Sequence, residues 1–140
     1  MMNESTVMTA NELLESYDND GYVYCILLPE PISAMSLVKI GKIGMKKNES
    51  EQQVIDKLLR QVYEVVHFMR TGNYHKAELS IFESLKHLHY RREIYTYVFE
   101  DIKIAFEKAG MEYPSIQENL EKADISVISE LNKKLRGRDI

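Results

Sequence analysis

Glu78 is the residue whose position in this sequence most directly implies chemistry. It shares one helical stripe with Phe82 and Leu85, four and seven residues further on. A carboxylate on an apolar stripe must be hydrated, paired or bound to a cation, because burying it alone is expensive. A place at the rim of the stripe, reaching water, meets the same demand. The second feature is a strand bearing Tyr24 followed by a strand bearing Lys39. Alternation across a sheet puts Tyr22 and Tyr24 on one face, and a lysine ammonium is a point charge suited to a phosphate. Ordinary strand packing is the competing account of Tyr24.

The other polar residues offer less. His67, His75, His87 and His89 do not form a metal-ligand pattern. His87 and His89 are two apart and would face different sides of a helix, so exposed helix histidines are the better reading. Ser80 and Ser84 lack a base partner. The lone Cys25 sits in an apolar run, offering neither an internal disulfide nor a zinc framework. No glycine-rich phosphate loop is present.

The elements that must position these residues can be read from spacing. Thr9 and Glu12 form a capping box opening a helix over about 9–18, and the turn at 18–21 stops it. The run 22–28 is a buried strand ended by Pro29 and Pro31. Residues 36–41 form a second strand, antiparallel to the first. Asn48 or Ser50 caps a helix to about 63, whose apolar set is Val54, Ile55, Leu58, Leu59 and Val62. A third strand covers 64–70, and Asn73 caps a helix over 74–89. A fourth strand covers 93–98. A helix over 102–108 is stopped at Gly110, and a last helix, over about 115–136, opens with Ser115 and Glu118.

These elements arrive in a recognisable order. Val23 and Tyr24 match part of the first signature of the GIY-YIG nuclease superfamily, with Tyr22 where its glycine would stand. Lys39, Ile40 and Gly41 resemble the second signature, with lysine for its tyrosine. That replacement is familiar in a compact branch of the superfamily, widespread in phages and large DNA viruses. The branch continues with a helical arginine, an Ala-Glu pair on the next helix, and a basic residue before a Glu-x-aromatic strand. Here Arg60, then Ala77 and Glu78, then Arg91, Arg92, Glu93 and Tyr95 follow in that order. Ile43 stands where the branch often has threonine, and Phe82 where many relatives have histidine.

The resemblance covers 21 to about 106 and implies an α/β (α+β) fold. Its sheet would be small, three- to four-stranded and mainly antiparallel, with flanking helices, the terminal helices being appendages. It implies a metal-dependent endonuclease hydrolysing DNA phosphodiester bonds. Glu78 would hold one magnesium (or manganese) ion, Tyr24 and Lys39 would assist the attacking water, and Arg60 would steady phosphate charge. Lys57 competes with Arg60 and Glu83 with Glu78, although Glu83 lies off the apolar stripe.

Bulk properties frame this reading. The 140 residues fit a single domain. The composition, 44% hydrophobic and 29% charged, is ordinary for a globular chain. The net charge of -4 argues weakly against nucleic acid, but local distribution matters more. Lys39, Lys42, Lys46 and Lys47 form a stretch without acids, and Arg91 and Arg92 are adjacent. Lys42, Lys46, Lys47, Arg91 and Arg92 are therefore candidate DNA contacts, against the plainer account of a solvated face. The basic tail residues Lys133, Lys134, Arg136 and Arg138 fit that plainer account. The N-terminus lacks a signal-peptide pattern, and the longest apolar run is too short for a bilayer. An intracellular, soluble protein is expected. Two alternatives to cleavage stand beside it: a degenerate module that binds DNA without cutting, and a protein-interaction factor whose terminal helices carry the function.

Overall fold

The computed structural model describes residues 8–29, 35–46, 48–60 and 64–138. Within them the chain is α+β, with six α-helices and one five-stranded sheet. The elements run α1 (Ala10–Asp18), β1 (Gly21–Leu27), β2 (Leu37–Gly44), α2 (Glu51–Leu59), β3 (Glu64–Thr71) and α3 (Tyr74–Ser84). A short 3-10 turn (Lys86–Leu88) leads to β4 (His89–Arg91) and β5 (Ile94–Thr96), then α4 (Phe99–Glu112), α5 (Ile116–Lys122) and α6 (Ile125–Gly137). The strand order is β3-β1-β2-β5-β4, with every pairing antiparallel.

Five strands replace the three or four expected. The stripe of Phe82, Leu85 and Leu88 reads as one helix to His89, but α3 stops at Ser84. Leu88 still packs on the core, from the 3-10 turn, so its spacing mimics a continuing helix. The chain then doubles back as a hairpin at Arg92, whose φ of 53° is the left-handed turn conformation. The expected strand 93–98 is the second arm of that hairpin, shortened to Ile94–Thr96.

Local caps set most helix starts. Thr9, Ser50 and Ser115 each accept from the backbone N–H three residues on, and the residue there reciprocates. Asn73 accepts from the Lys76 N–H at 3.1 Å to open α3. Gly110 does not end α4, which runs on to Glu112. Its lack of a side chain instead admits Met69, since a Cβ there would meet the Met69 sulfur at 2.9 Å. The expected last helix is two helices, α5 and α6, separated at Ala123 and Asp124.

Each face of the sheet has its own core. On one face Val23, Cys25, Val38 and Ile40 pack with Ala77, Ile81 and Leu85 of α3 and with Ile102, Ala105, Phe106 and Ala109 of α4. On the other, Tyr24 and Ile26 pack with Leu58 of α2 and the half-buried Ile43, Val65 and Phe68. A third apolar group joins Leu13 of α1, Ile116 of α5 and Leu131 of α6. Asn119 ties α5 to α1 by donating to the Ser16 hydroxyl at 3.1 Å. Thr71 and Gly72 donate to the carbonyls of Tyr113 and Pro114, fixing this group to the end of β3. No described helix is long and apolar enough to cross a membrane.

Candidate active site

The β1–β2 register pairs Tyr24 with Gly41. Residues directly opposite on antiparallel strands project to the same face, so Tyr24 leans over a position without a side chain. A Cβ at Gly41 would lie 2.4 Å from both Cζ and the hydroxyl oxygen of Tyr24. Lys39, two residues before Gly41, shares that face by alternation, whereas Ile40 and Lys42 project to the α3 side.

β5 accompanies β2 only along Leu37–Lys39, and one further bond carries the Ile40 N–H to the Glu93 carbonyl at 3.0 Å. Where this pairing runs out, a concavity of about 390 Å³ opens at the β2 edge. Tyr24, Lys39 and Gly41 line it from one face of the sheet. Lys42, with Glu78 and Phe82 of α3, lines it from the other, and Arg92 and Glu93 supply its rim from the hairpin turn. Tyr24, Lys39 and Glu78, widely separated in sequence, thus meet around one opening.

Glu78 is only 7% exposed, being carried on the face of α3 that buries Ala77 and Ile81. Its Oε1 lies 3.3 Å from Lys42 Nζ, and among the described residues Lys42 is its ion-pair partner. Phe82 stacks on the buried Tyr95 with ring centroids 5.7 Å apart, so it forms an apolar wall. Burial, and then the negative charges of Glu78 and Glu93, raise the Tyr24 phenol above its ordinary 10.0. Tyr95 is raised by the same causes in the same order. At neutral pH Tyr24 therefore presents a protonated hydroxyl, able to donate to or accept from a water but not to act as a phenolate base.

Of the side chains lining the opening, the carboxylates of Glu78 and Glu93 are the ones that could hold a hard divalent cation. Glu78 offers one carboxylate that is nearly buried yet opens on the concavity, and it already holds a cationic group, the Lys42 ammonium. Among the described residues no three His, Cys, Asp or Glu side chains gather as a metal cage. An ion here would complete its shell with water and with oxygens of a substrate phosphate, as magnesium commonly does.

Several expected participants lie elsewhere. Arg60 is the C-terminal cap of α2. It is exposed and lines a separate concavity of about 440 Å³ with Lys46, Gln53 and Asp56. Val54 and Leu58 turn toward the sheet, which leaves Arg60 on the outer end of the helix. Lys57 is paired with Glu49, and Glu83 is exposed and paired with Lys86 at 2.8 Å. Lys46 and Arg91 are exposed and absent from the lining of the Tyr24 opening, and Lys47 lies outside the described residues. His87 pairs with Asp101 at 2.7 Å, and the His89 ring bonds the Arg92 carbonyl at 2.7 Å. His67 lies on the third strand as expected, but it is not exposed. It is half-buried on β3, stacked on Phe106 and Phe99, and its Nε2 has no partner among the described residues.

The sequence reading missed Glu93 as a lining residue and Lys42 as the partner of Glu78. The first looked like the start of a strand when it is half of a two-residue turn. The second was open to discovery, because alternation puts Lys42 on the Ile40 face and Lys39 on the Tyr24 face. No protein-family model, curated protein or solved structure matches the chain.

Proposed function

We propose that the protein is a magnesium- or manganese-dependent endonuclease that hydrolyses phosphodiester bonds in DNA at the opening between β2, α3 and the β4–β5 hairpin. One observation carries the reading: Tyr24, Lys39 and Glu78 line a single concavity, although they come from β1, β2 and α3. The order of short motifs resembling the compact GIY-YIG branch supports it further.

In this reading Lys39 binds a non-bridging oxygen of the scissile phosphate as a point charge. The protonated Tyr24 hydroxyl orients the attacking water beside it. Arg92, at the rim, engages a flanking phosphate through its guanidinium fork. Glu78 holds the ion, and Phe82 with Tyr95 gives that side of the opening a dry wall. The ion, when bound, supplies Lewis acidity toward the phosphate and lowers the pKa of a coordinated water. Arg60 has no part in this arrangement, being outside the opening.

A second reading has one observation in its favour. The Lys42–Glu78 ion pair leaves the carboxylate already satisfied, as a module that binds DNA without cutting it would hold it. Incubation of the purified protein with supercoiled plasmid separates the two. Nicking that requires magnesium or manganese and stops on chelation is expected. Salt-sensitive plasmid binding with no nicking in either metal contradicts cleavage and leaves the binding module.

A further inference from the structure

The ion pair that favours the second reading has a different meaning if the first is right. Glu78 is nearly buried, with a side chain 10% exposed, whereas the Lys42 side chain is 37% exposed on the open part of β2. Breaking such a pair by withdrawing the lysine leaves a buried carboxylate uncompensated, which is strongly unfavourable. Withdrawal is therefore tolerable only when another cation takes the place beside Glu78. Lys42 can leave, because its flexible stem ends at the surface and carries three rotatable donors. It needs an anion to leave for, and the concavity it lines is the one whose other cations, Lys39 and Arg92, suit a phosphate.

We propose that Lys42 is an exchangeable plug on the metal site: its ammonium occupies Glu78 in the free protein and transfers to a phosphate of the incoming strand, so that DNA and the divalent ion bind cooperatively. The proposal rests on the nuclease reading, because it takes Glu78 as the metal carboxylate. In the free state Glu78 faces Lys42 and the pair is neutral. In the loaded state Glu78 faces the divalent ion and Lys42 faces one phosphate, and the ion's remaining positive charge is met by a second phosphate of the strand. A hydrated ion thus competes with a tethered ammonium until substrate arrives, and metal without DNA is held weakly. By reciprocity the ion strengthens DNA binding by the factor with which DNA strengthens ion binding.

The test measures free manganese by electron paramagnetic resonance during titration of the full chain, without DNA and then with a phosphorothioate-linked duplex that resists cleavage. Wild type, Lys42→Met, Lys42→Arg and Glu78→Gln are compared, each first checked for native circular dichroism. Without DNA, Lys42→Met is expected to bind manganese about tenfold more tightly than wild type, within the usual range of coupling between sites. Lys42→Arg should keep the weak wild-type affinity. The duplex should tighten manganese binding about tenfold in wild type and much less in Lys42→Met. Unchanged or weaker binding by Lys42→Met, with binding lost in Glu78→Gln, overturns the plug and leaves the metal assignment standing. Equal binding by Glu78→Gln and wild type, or no uptake by any variant, overturns the metal assignment and the plug with it.

Discussion

The end of the Tyr24 ring rests on Gly41 of the neighbouring strand, with Cζ and the hydroxyl oxygen each 2.4 Å from where a Cβ would be. The missing side chain leaves room for the phenol over β2, at the opening that Lys39 also lines. Gly41 is thus a positioning residue, and its contact is with the far end of a side chain that can rotate away. Gly41→Ala should displace the ring more than it disturbs the sheet. The expected cost in stability is about 1–3 kcal/mol, as for other small overpacking changes. Nicking should fall about a hundredfold, as misplacement on the order of 1 Å can cause. Thermal melting with plasmid nicking checks both; a variant that nicks at the wild-type rate contradicts the role given to Tyr24.

Arg92 offers its charge from an unusual backbone. Its φ of 53° is a conformation that asparagine tolerates well. Arg92→Asn therefore keeps the hairpin turn while removing the guanidinium. If Arg92 contacts a phosphate, the slope of log affinity against log salt concentration becomes shallower by about one, with little change in sequence preference. Filter binding over a range of salt gives the slope, and an unchanged value removes Arg92 from the DNA interface.

His67 makes stability depend on acidity. Burial lowers its pKa from 6.5, with Glu107 opposing the shift and Lys103 of the same helix adding to it. The folded imidazole thus binds its proton less readily than the unfolded one. The associated stability is complete above 6.5, the unfolded value, and is lost as pH falls through the depressed folded value. Urea melts on either side of that value should show the loss, and His67→Phe should flatten it while keeping the stacking on Phe106. An equally steep decline in His67→Phe assigns the acid sensitivity to other groups.

What could be read from sequence was mainly local. Thr9, Ser50, Asn73 and Ser115 cap helices through bonds spanning three residues, so their signals lie within the segment they start. The β1–β2 pair was legible from the apolar run 22–28, the prolines that end it and the loop to the next strand, and Tyr24, Lys39 and Glu78 from their types and order. The rest depends on the assembled sheet. Leu88 keeps helical spacing but packs from a 3-10 turn, which hid β4. Gly110 resembles a helix stop but is a contact point for Met69. Arg60 has the right place in the order, yet α2 carries it to another concavity. Alternation puts Lys42 on the Ile40 face of β2, but only the packing of α3 on that face brings Glu78 within 3.3 Å of it.

Cleavage at this opening requires that the Glu78 carboxylate hold a divalent ion. The most direct test is the initial rate of supercoiled-plasmid nicking in magnesium by Glu78→Gln against wild type, at matched melting temperature. The expected result is a fall of about a hundredfold or more, the scale on which losing one preorganised electrostatic group slows an enzyme. Nicking by Glu78→Gln at the wild-type rate contradicts the account.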